Sequence, residues 1–332
     1  MRTSFLRNVP FGNRYFRALA PLYPAAFESF DLSGYDLIVS STTAWAKGVR
    51  FSPPAVHVCY INTPSRFLFA YDRYLGGFGL RTLARPLVAS LAAWDRRAAL
   101  RPTAFIANSR NVAERVRRYY GRDAFVLPCP ADVERFTLGR GDGGYYLVLS
   151  RLLPYKAIDR AIDAAALAGV KLRVAGSGPA LEALRVHARG TTTEMLGYVP
   201  DDQIDALVGA ARAVIVPGEE DFGLVPLEAA AAGRPAIALR AGGALETIVE
   251  GATGTFFDEP SAASLARALK AFDPARFEPQ RLRTHAEQFA PPRFIERLRA
   301  LVGEIVQRSE NGARRFVAPT DAEAGNAERA QA

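Results

Sequence analysis

Through the second half of the chain, short β-branched and aliphatic runs alternate with stretches of helical periodicity. That alternation argues for successive βα units around a parallel sheet. The run YYLVLS (145–150) reads as a strand, followed by a helix from Tyr155 to Leu167. KLRVAG (171–176) is a second strand, leading through Gly-Ser-Gly-Pro into a helix from about Pro179 to Arg189. A strand over Glu194–Leu196 reaches Gly197, and Asp201-Asp202 can cap a helix from Gln203 to Ala211. AVIVP (213–217) opens into the polar loop GEEDFG, and the helix Pro226–Ala232 stops at Gly233. PAIAL (235–239), Gly242-Gly243, a helix from Ala244 to Glu250 and Gly254-TFF complete the series. At least five strands and five helices alternate here, which predicts a doubly wound α/β domain.

The first half is also α/β. DLIVSS (36–41), AVHVCYI (55–61), AFIANS (104–109) and FVLP (125–128) read as strands. Leu80–Leu100 has the pattern of a long amphipathic helix, and Ser109 is placed to cap a helix over Asn111–Tyr120. No opening strand with a Gly-rich turn precedes these elements, so this Rossmann-like domain reads as incomplete. The Gly- and charge-rich stretch Glu134–Gly144 predicts a hinge. The expected organisation is residues 1–138, then 139–308, then a disordered tail over 309–332.

Composition narrows the function classes. Of 332 residues, 49% are hydrophobic and 23% charged, which excludes general disorder. Two Cys, Cys59 and Cys129, and three His make a disulfide framework or a His/Cys metal site a poor expectation. No apolar run is long enough to span a membrane, and the basic, aromatic N-terminus lacks the apolar core of a signal peptide, so the expected location is cytoplasmic. The net charge of +8 is unevenly placed. Residues 1–136 hold 19 Lys and Arg against 9 Asp and Glu, leaving a net −2 for the rest. Phe5, Phe11, Tyr15, Phe16 and Tyr23 interleave with Arg2, Arg7, Arg14 and Arg17. Two readings are open: a surface for anionic lipid headgroups, or aromatics packed in the domain beneath solvated arginines. No nucleic-acid-binding module is present.

Three motifs carry candidate chemistry. In Glu220-Asp-Phe-Gly-Leu-Val-Pro-Leu-Glu228, one glutamate lies in a loop after a strand and the other inside the next helix. Such loops form ligand sites in open α/β sheets. The carboxylates can accept hydrogen bonds from vicinal hydroxyls. Gly223 lets backbone approach a ligand, with the N–H groups of Leu224 and Val225 offered to a phosphate. The alternative is a capped surface helix with exposed acids. In Ser150-Arg151-Leu-Leu-Pro-Tyr-Lys156, two cations bracket the start of a helix and could neutralise a diphosphate without a metal; a solvated Arg and Lys is the plainer alternative. In Val174-Ala-Gly176-Ser-Gly178-Pro, a strand runs into a Gly-x-Gly turn. As a nucleotide fingerprint it lacks the third glycine, and tight packing would explain it equally.

Taken in order, SRLLPYK, AGSGP, LGYVP, EDFGLVPLEAAAAGRP and AGGALETI closely resemble the donor-binding half of retaining GT-B-fold glycosyltransferases of family four. GYDLIVSSTTAWAKGV, HVCYINTPSRFLF and FIANSRNVAERV resemble the acceptor domain of its polysaccharide mannosyltransferase-like members. The resemblance implies two Rossmann-like domains facing across a cleft, the first lacking its usual opening strand and Gly-rich turn. The opening Met1-Arg-Thr-Ser-Phe-Leu resembles an internal family segment, which points to a lost N-terminus. It implies transfer of a hexose, with mannose favoured, from GDP-mannose or a UDP-sugar to a glycan or lipid-linked acceptor in cell-surface polysaccharide synthesis. The anomeric configuration would be retained, with neither cofactor nor metal. Arg151 and Lys156 would hold the diphosphate, Glu228 the ribose and Glu220 the hexose hydroxyls. The backbone near Val199 would border the base, and Gly176, Gly178, Phe222, Gly223, Leu224 and Val225 would complete the donor site. Asn62 stands where family members often carry a His, and is the acceptor-side candidate. His57 is expected in the core, from the alternation along its strand. A binding protein without catalysis is the competing function, since the missing strand would remove a wall of the cleft.

Overall fold

The computed structural model describes residues 3–9, 19–69, 79–139 and 143–311, with backbone alone for 79–84. The chain divides into two compact units, Met1–Leu127 with Arg297–Ala332, and Pro128–Glu296. The division falls ahead of the expected hinge because Ala131, Val133 and Phe136 are already buried in the core of the second unit. The chain returns to the first unit within its last helix, Pro291–Glu310. That helix carries Ser309 and Glu310, which the sequence pattern had assigned to the tail. Of the expected N-terminal patch, Arg2, Phe11, Arg14, Tyr15, Phe16 and Arg17 lie outside the described residues.

The first unit holds a four-stranded parallel sheet in the order β1-β2-β3-β4, formed by Leu37–Thr42, Val56–Ile61, Ala104–Ala107 and Phe125–Val126. All six residues of β2 and all four of β3 are buried, as befits interior strands covered on both faces. The helix α4 (Arg110–Tyr120) buries Val112, Val116 and Tyr120, one residue per turn. Its expected cap is present: the Ser109 hydroxyl accepts the Val112 N–H at 3.0 Å. The long helix α3 runs from Gly79 to Ala98, behind the short helices α1 (Tyr23–Glu28) and α2 (Arg66–Phe69).

A buried polar network, which the sequence pattern did not disclose, ties this unit together. Lys47 and Asp95 are fully buried and paired at 2.5 Å. Lys47 also donates to Ala44 O, and the Tyr120 hydroxyl donates to the other Asp95 oxygen at 2.6 Å. Nearby, Glu28 accepts from Trp94 Nε1 at 2.8 Å and from Arg101 and Arg50 at 2.6 Å each. Burial alone would raise the Glu28 pKa, but these donors hold it below its ordinary value. His57 is buried as expected, with Nε2 2.8 Å from Ser40 Oγ, and burial pushes its pKa down to about 4.

The second unit is a six-stranded parallel sheet in the order β10-β9-β8-β5-β6-β7. In chain order the strands are β5 (Tyr146–Leu149), β6 (Leu172–Ala175), β7 (Thr193–Gly197), β8 (Val214–Val216), β9 (Ala236–Leu239) and β10 (Gly254–Phe257). Both faces are covered: Tyr146 and Val148 point into one core cluster, Tyr145 and Leu147 into the other. This explains why β5 reads as a continuous apolar run. The helices are α5 (Ile158–Ala168), α6 (Leu181–His187), α7 (Asp201–Gly209), α8 (Leu224–Ala231), α9 (Ala244–Thr247), α10 (Ala262–Ala271) and α11 (Pro279–Glu287).

Two local expectations are corrected. Lys156 does not begin a helix: Pro154–Lys156 is a 3-10 turn, and Ala157 then takes φ +52°, so α5 starts only at Ile158. Asp201 and Asp202 do not cap α7 but occupy its first turn, where they complement the helix dipole.

Two measurements test the first unit. Both Trp residues of the chain, Trp45 and Trp94, lie in it, so tryptophan fluorescence reports its unfolding. Asp95→Asn leaves the buried Lys47 ammonium without its counter-charge and should cost about 3–5 kcal/mol in urea denaturation, whereas Lys47→Met with Asp95→Leu should cost far less. His57 titrates near 6.5 when unfolded but near 4 when folded. The unfolded chain therefore binds more protons in between, and stability falls as pH drops from 6.5 to 4, by up to about 3 kcal/mol. His57→Gln should flatten that slope; an unchanged slope would contradict the assignment.

Candidate functional site

In the second sheet the order reverses direction between β5 and β8, and open α/β sheets bind ligands beyond the carboxyl ends of the strands at such a point. The SRLLPYK segment leaves the end of β5, and the GEEDFG loop leaves the end of β8. The two acid-bearing and base-bearing segments, some 65 residues apart in sequence, are therefore neighbours because their strands are.

Backbone contacts hold the loops around this point. Ser150 N–H donates to Ala175 O at 3.0 Å, Leu152 N–H to Ser177 O at 2.9 Å, and Ala180 N–H to Leu152 O at 3.1 Å. These bonds continue the β5–β6 pairing past the strand ends. They require close approach: a Cβ on Gly176 would stand 1.8 Å from Ser150 O, and one on Gly178 2.4 Å from Leu152 O. The Gly-x-Gly turn thus packs directly on the segment carrying Arg151. On the other side, Gly243 N–H donates to Glu220 O at 2.9 Å, and a Cβ on Gly243 would fall 2.3 Å from Phe222 Cα. Gly242 forms an isolated parallel bridge with Glu220.

On this frame Lys156 Nζ reaches both carboxylate oxygens of Glu220, each at 2.6 Å. The side chains are only 17% and 22% exposed. Arg151 is exposed, and among the described residues it has no ion pair. Phe222 is buried against Phe289, with ring centroids 6.1 Å apart, so its side chain anchors the loop from below. Gly223, at φ +101°, precedes α8 and has no side chain to cap it. The N–H groups of Leu224 and Val225 are accordingly the uncapped donors of the first turn. Leu224 is exposed, whereas Val225 packs into the core. Val199, in the loop after β7, is half-buried on the same core, beside an exposed Tyr198.

Glu228 sits one turn into α8, half-buried, and among the described residues no donor pairs with its carboxylate. Burial raises its pKa; Arg135 opposes that shift and Asp132 adds to it. Arg135 and Asp132 were not singled out in the sequence, since no local pattern shows that the segment before β5 lies beside α8. Arg135 also donates to the backbone oxygen of Asp201 at 3.1 Å and to its carboxylate at 3.2 Å. Asn62 lies in the first unit, just past β2, where its N–H donates to Thr42 O at 2.8 Å and its side-chain amide lies 3.4 Å from Ser41 Oγ.

The segments that follow β5 and β8 thus carry two cations, two carboxylates and the start of a helix, and of these Lys156 and Glu220 are in direct contact. Cations and helix N–H groups suit phosphate oxygens, and carboxylates suit hydroxyls. Among the described residues no group of three or more His, Cys, Asp or Glu could hold a metal ion. Nor, among them, is any helix long and apolar enough to cross a membrane.

Residues 2–135 match the family model described as Glycosyltransferase Family 4, and residues 130–288 match Glycosyl transferases group 1. The chain is 25% identical to the D-inositol 3-phosphate glycosyltransferase of Geodermatophilus obscurus, over 86% of this chain and 70% of that one. It is 30% identical to the GDP-mannose-dependent alpha-(1-6)-phosphatidylinositol monomannoside mannosyltransferase of Mycolicibacterium smegmatis, over 59% of this chain and 63% of that one. Among solved structures, the sucrose-phosphate synthase of Thermosynechococcus elongatus matches 89% of this chain and 80% of its own, with a TM-score of 0.70 at 19% identity, a likeness of fold. Two parallel α/β units of this kind, matched along the chain by both models, have the GT-B fold, and the chain belongs to the family-four glycosyltransferases.

Proposed function

We propose that the protein moves a hexose from a nucleotide diphosphate sugar to a glycan or lipid-linked acceptor with retention of anomeric configuration and without a metal. The observation that carries this reading is the Lys156–Glu220 pair at the β5/β8 reversal of the second sheet, with Arg151 on the segment that carries Lys156 and Glu228 in the helix that follows Glu220. Arg151, Lys156 and the first N–H groups of α8 would neutralise the diphosphate. Glu228 would accept the ribose hydroxyls, Glu220 would accept those of the hexose, and the loop at Val199 would border the base. In the reaction, the bond from the anomeric carbon to the phosphate oxygen breaks as the bond to the acceptor oxygen forms. The acceptor proton passes to the departing phosphate on the same face, so no separate base is needed. The two cations carry the charge that develops on the leaving group.

GDP-mannose is the favoured donor, supported by the GDP-mannose dependence of the smegmatis relative; a UDP-sugar is the alternative. Asn62 would contribute from the acceptor-side unit. The excess of basic residues in 1–136 supports peripheral attachment to an anionic membrane face on the cytoplasmic side, as part of cell-surface polysaccharide synthesis.

Thermal-shift and calorimetric screening with GDP-mannose, UDP-glucose and the free nucleotides tests the reading. A stabilising sugar nucleotide that is then turned over, equally with and without EDTA, is the expected result. Binding without turnover would leave a sugar-nucleotide-binding protein, and no binding would sink the proposal. Arg151→Ala should lower turnover at least tenfold while leaving the melting temperature within about a degree, because an exposed side chain contributes little to folding.

Glu228→Gln separates function from stability. Replacing the carboxylate by an amide, which keeps one acceptor oxygen and loses the other and the charge, should weaken sugar-nucleotide binding by about 1.5–3 kcal/mol. The folded-state pKa of Glu228 lies above the ordinary value, so the folded chain binds the extra proton and its stability falls as pH rises through that range. The penalty is fully present above the folded-state pKa. The ligand-free variant should therefore melt higher than the parent at pH 7, with the gain shrinking towards pH 4. A lower melting temperature at pH 7 would contradict the account.

A further inference from the structure

We propose that Glu220 is the resident counter-ion of Lys156 and that a nucleoside diphosphate must displace it, so that the carboxylate meets hexose hydroxyls only after the diphosphate is seated. The inference rests on the donor-site reading above and adds an order to it.

The ion pair is unlike an ordinary surface contact. Both carboxylate oxygens lie 2.6 Å from one ammonium, and both side chains are largely withdrawn from water. A carboxylate so engaged has its best acceptor directions turned to Lys156, and cannot fully serve two vicinal hydroxyls at the same time. The backbones on either side are pinned. Glu220 is tied to Gly242 and Gly243. The turn carrying Lys156 packs on Gly218, where a Cβ would stand 2.9 Å from Lys156 O. Ala157, the one non-glycine residue with positive φ among those described, closes that turn. The pair therefore separates by side-chain rotation, without movement of either loop.

Arg151 is exposed and supplies the first contact for an incoming anion. A diphosphate that already rests on Arg151 brings more negative charge than one carboxylate and can take Lys156 from it. A free hexose has no charge with which to break the pair. Binding of the two parts of the donor is then positively coupled, and by linkage the coupling is reciprocal.

Calorimetric titration of GDP and UDP into the full chain and into Glu220→Gln, Glu219→Gln and Asp221→Asn tests this. Glu220→Gln should bind the nucleoside diphosphate about tenfold more tightly, because no counter-ion has to leave, and each neighbouring variant should change affinity less than about twofold. The same gain in all three variants would reduce the effect to a general field and overturn the proposal. So would an unchanged or weakened affinity in Glu220→Gln. A second arm needs no variant: mannose or glucose is titrated into the parent chain with and without saturating GDP or UDP. Hexose affinity that rises about tenfold with the nucleotide supports the order, and equal affinity overturns it. If GDP and UDP bind neither the parent nor any variant, the donor-site reading itself fails and this inference falls with it.

Discussion

Everything at the candidate site depends on backbones lying closer together than side chains allow. Gly176 and Gly178 press against the carbonyls of Ser150 and Leu152, and Gly243 presses against Phe222. Each contact extends order from a strand end into the loop beyond it. Without them the segments carrying Arg151 and Glu220 would be ordinary surface loops, with the positional scatter that entails. Here they behave as continuations of the sheet. The glycines that looked like a weak nucleotide fingerprint thus serve the site through packing, by fixing the segment on which the cation sits.

On that rigid frame the charges are arranged against local stability. Glu228 is half-buried with a raised pKa and no donor on its carboxylate among the described residues. Ala157 holds a left-handed conformation, which costs about 1–2 kcal/mol for a residue with a Cβ. Functional surfaces commonly carry such costs, because a group prepared for a ligand is imperfectly satisfied before the ligand arrives. Lys156 and Glu220 are the exception: each satisfies the charge of the other.

The first unit shows the opposite use of charge. Lys47, Asp95 and Tyr120 satisfy one another fully out of water, joining the turn after β1 to α3 and α4. Glu28 does the same nearer the surface, drawing α1 onto Arg50, Trp94 and Arg101. Buried pairs of this kind contribute little net stability beyond apolar packing, but they penalise every arrangement that leaves one partner alone.

The sequence by itself determined the parallel α/β class, nine of the ten described strands in approximate place, the Ser109 cap and the burial of His57. These follow from local periodicity and from side chains acting within a turn of themselves. It also singled out Arg151, Lys156, Glu220 and Glu228 as candidates, because they stand in spaced motifs beside strand ends. Tertiary structure alone decided what those residues do to one another. The chelation of Glu220 by Lys156, the influence of Arg135 and Asp132 on Glu228, and the Lys47–Asp95 pair join residues dozens of positions apart. Strand order, which no local pattern encodes, brings them together. The start of α5 was likewise decided in three dimensions: the pattern from Tyr155 onward is helical, but the turn at Pro154–Lys156 packs against Gly218 of the neighbouring strand's loop, and that contact lies outside the segment that would have to predict it.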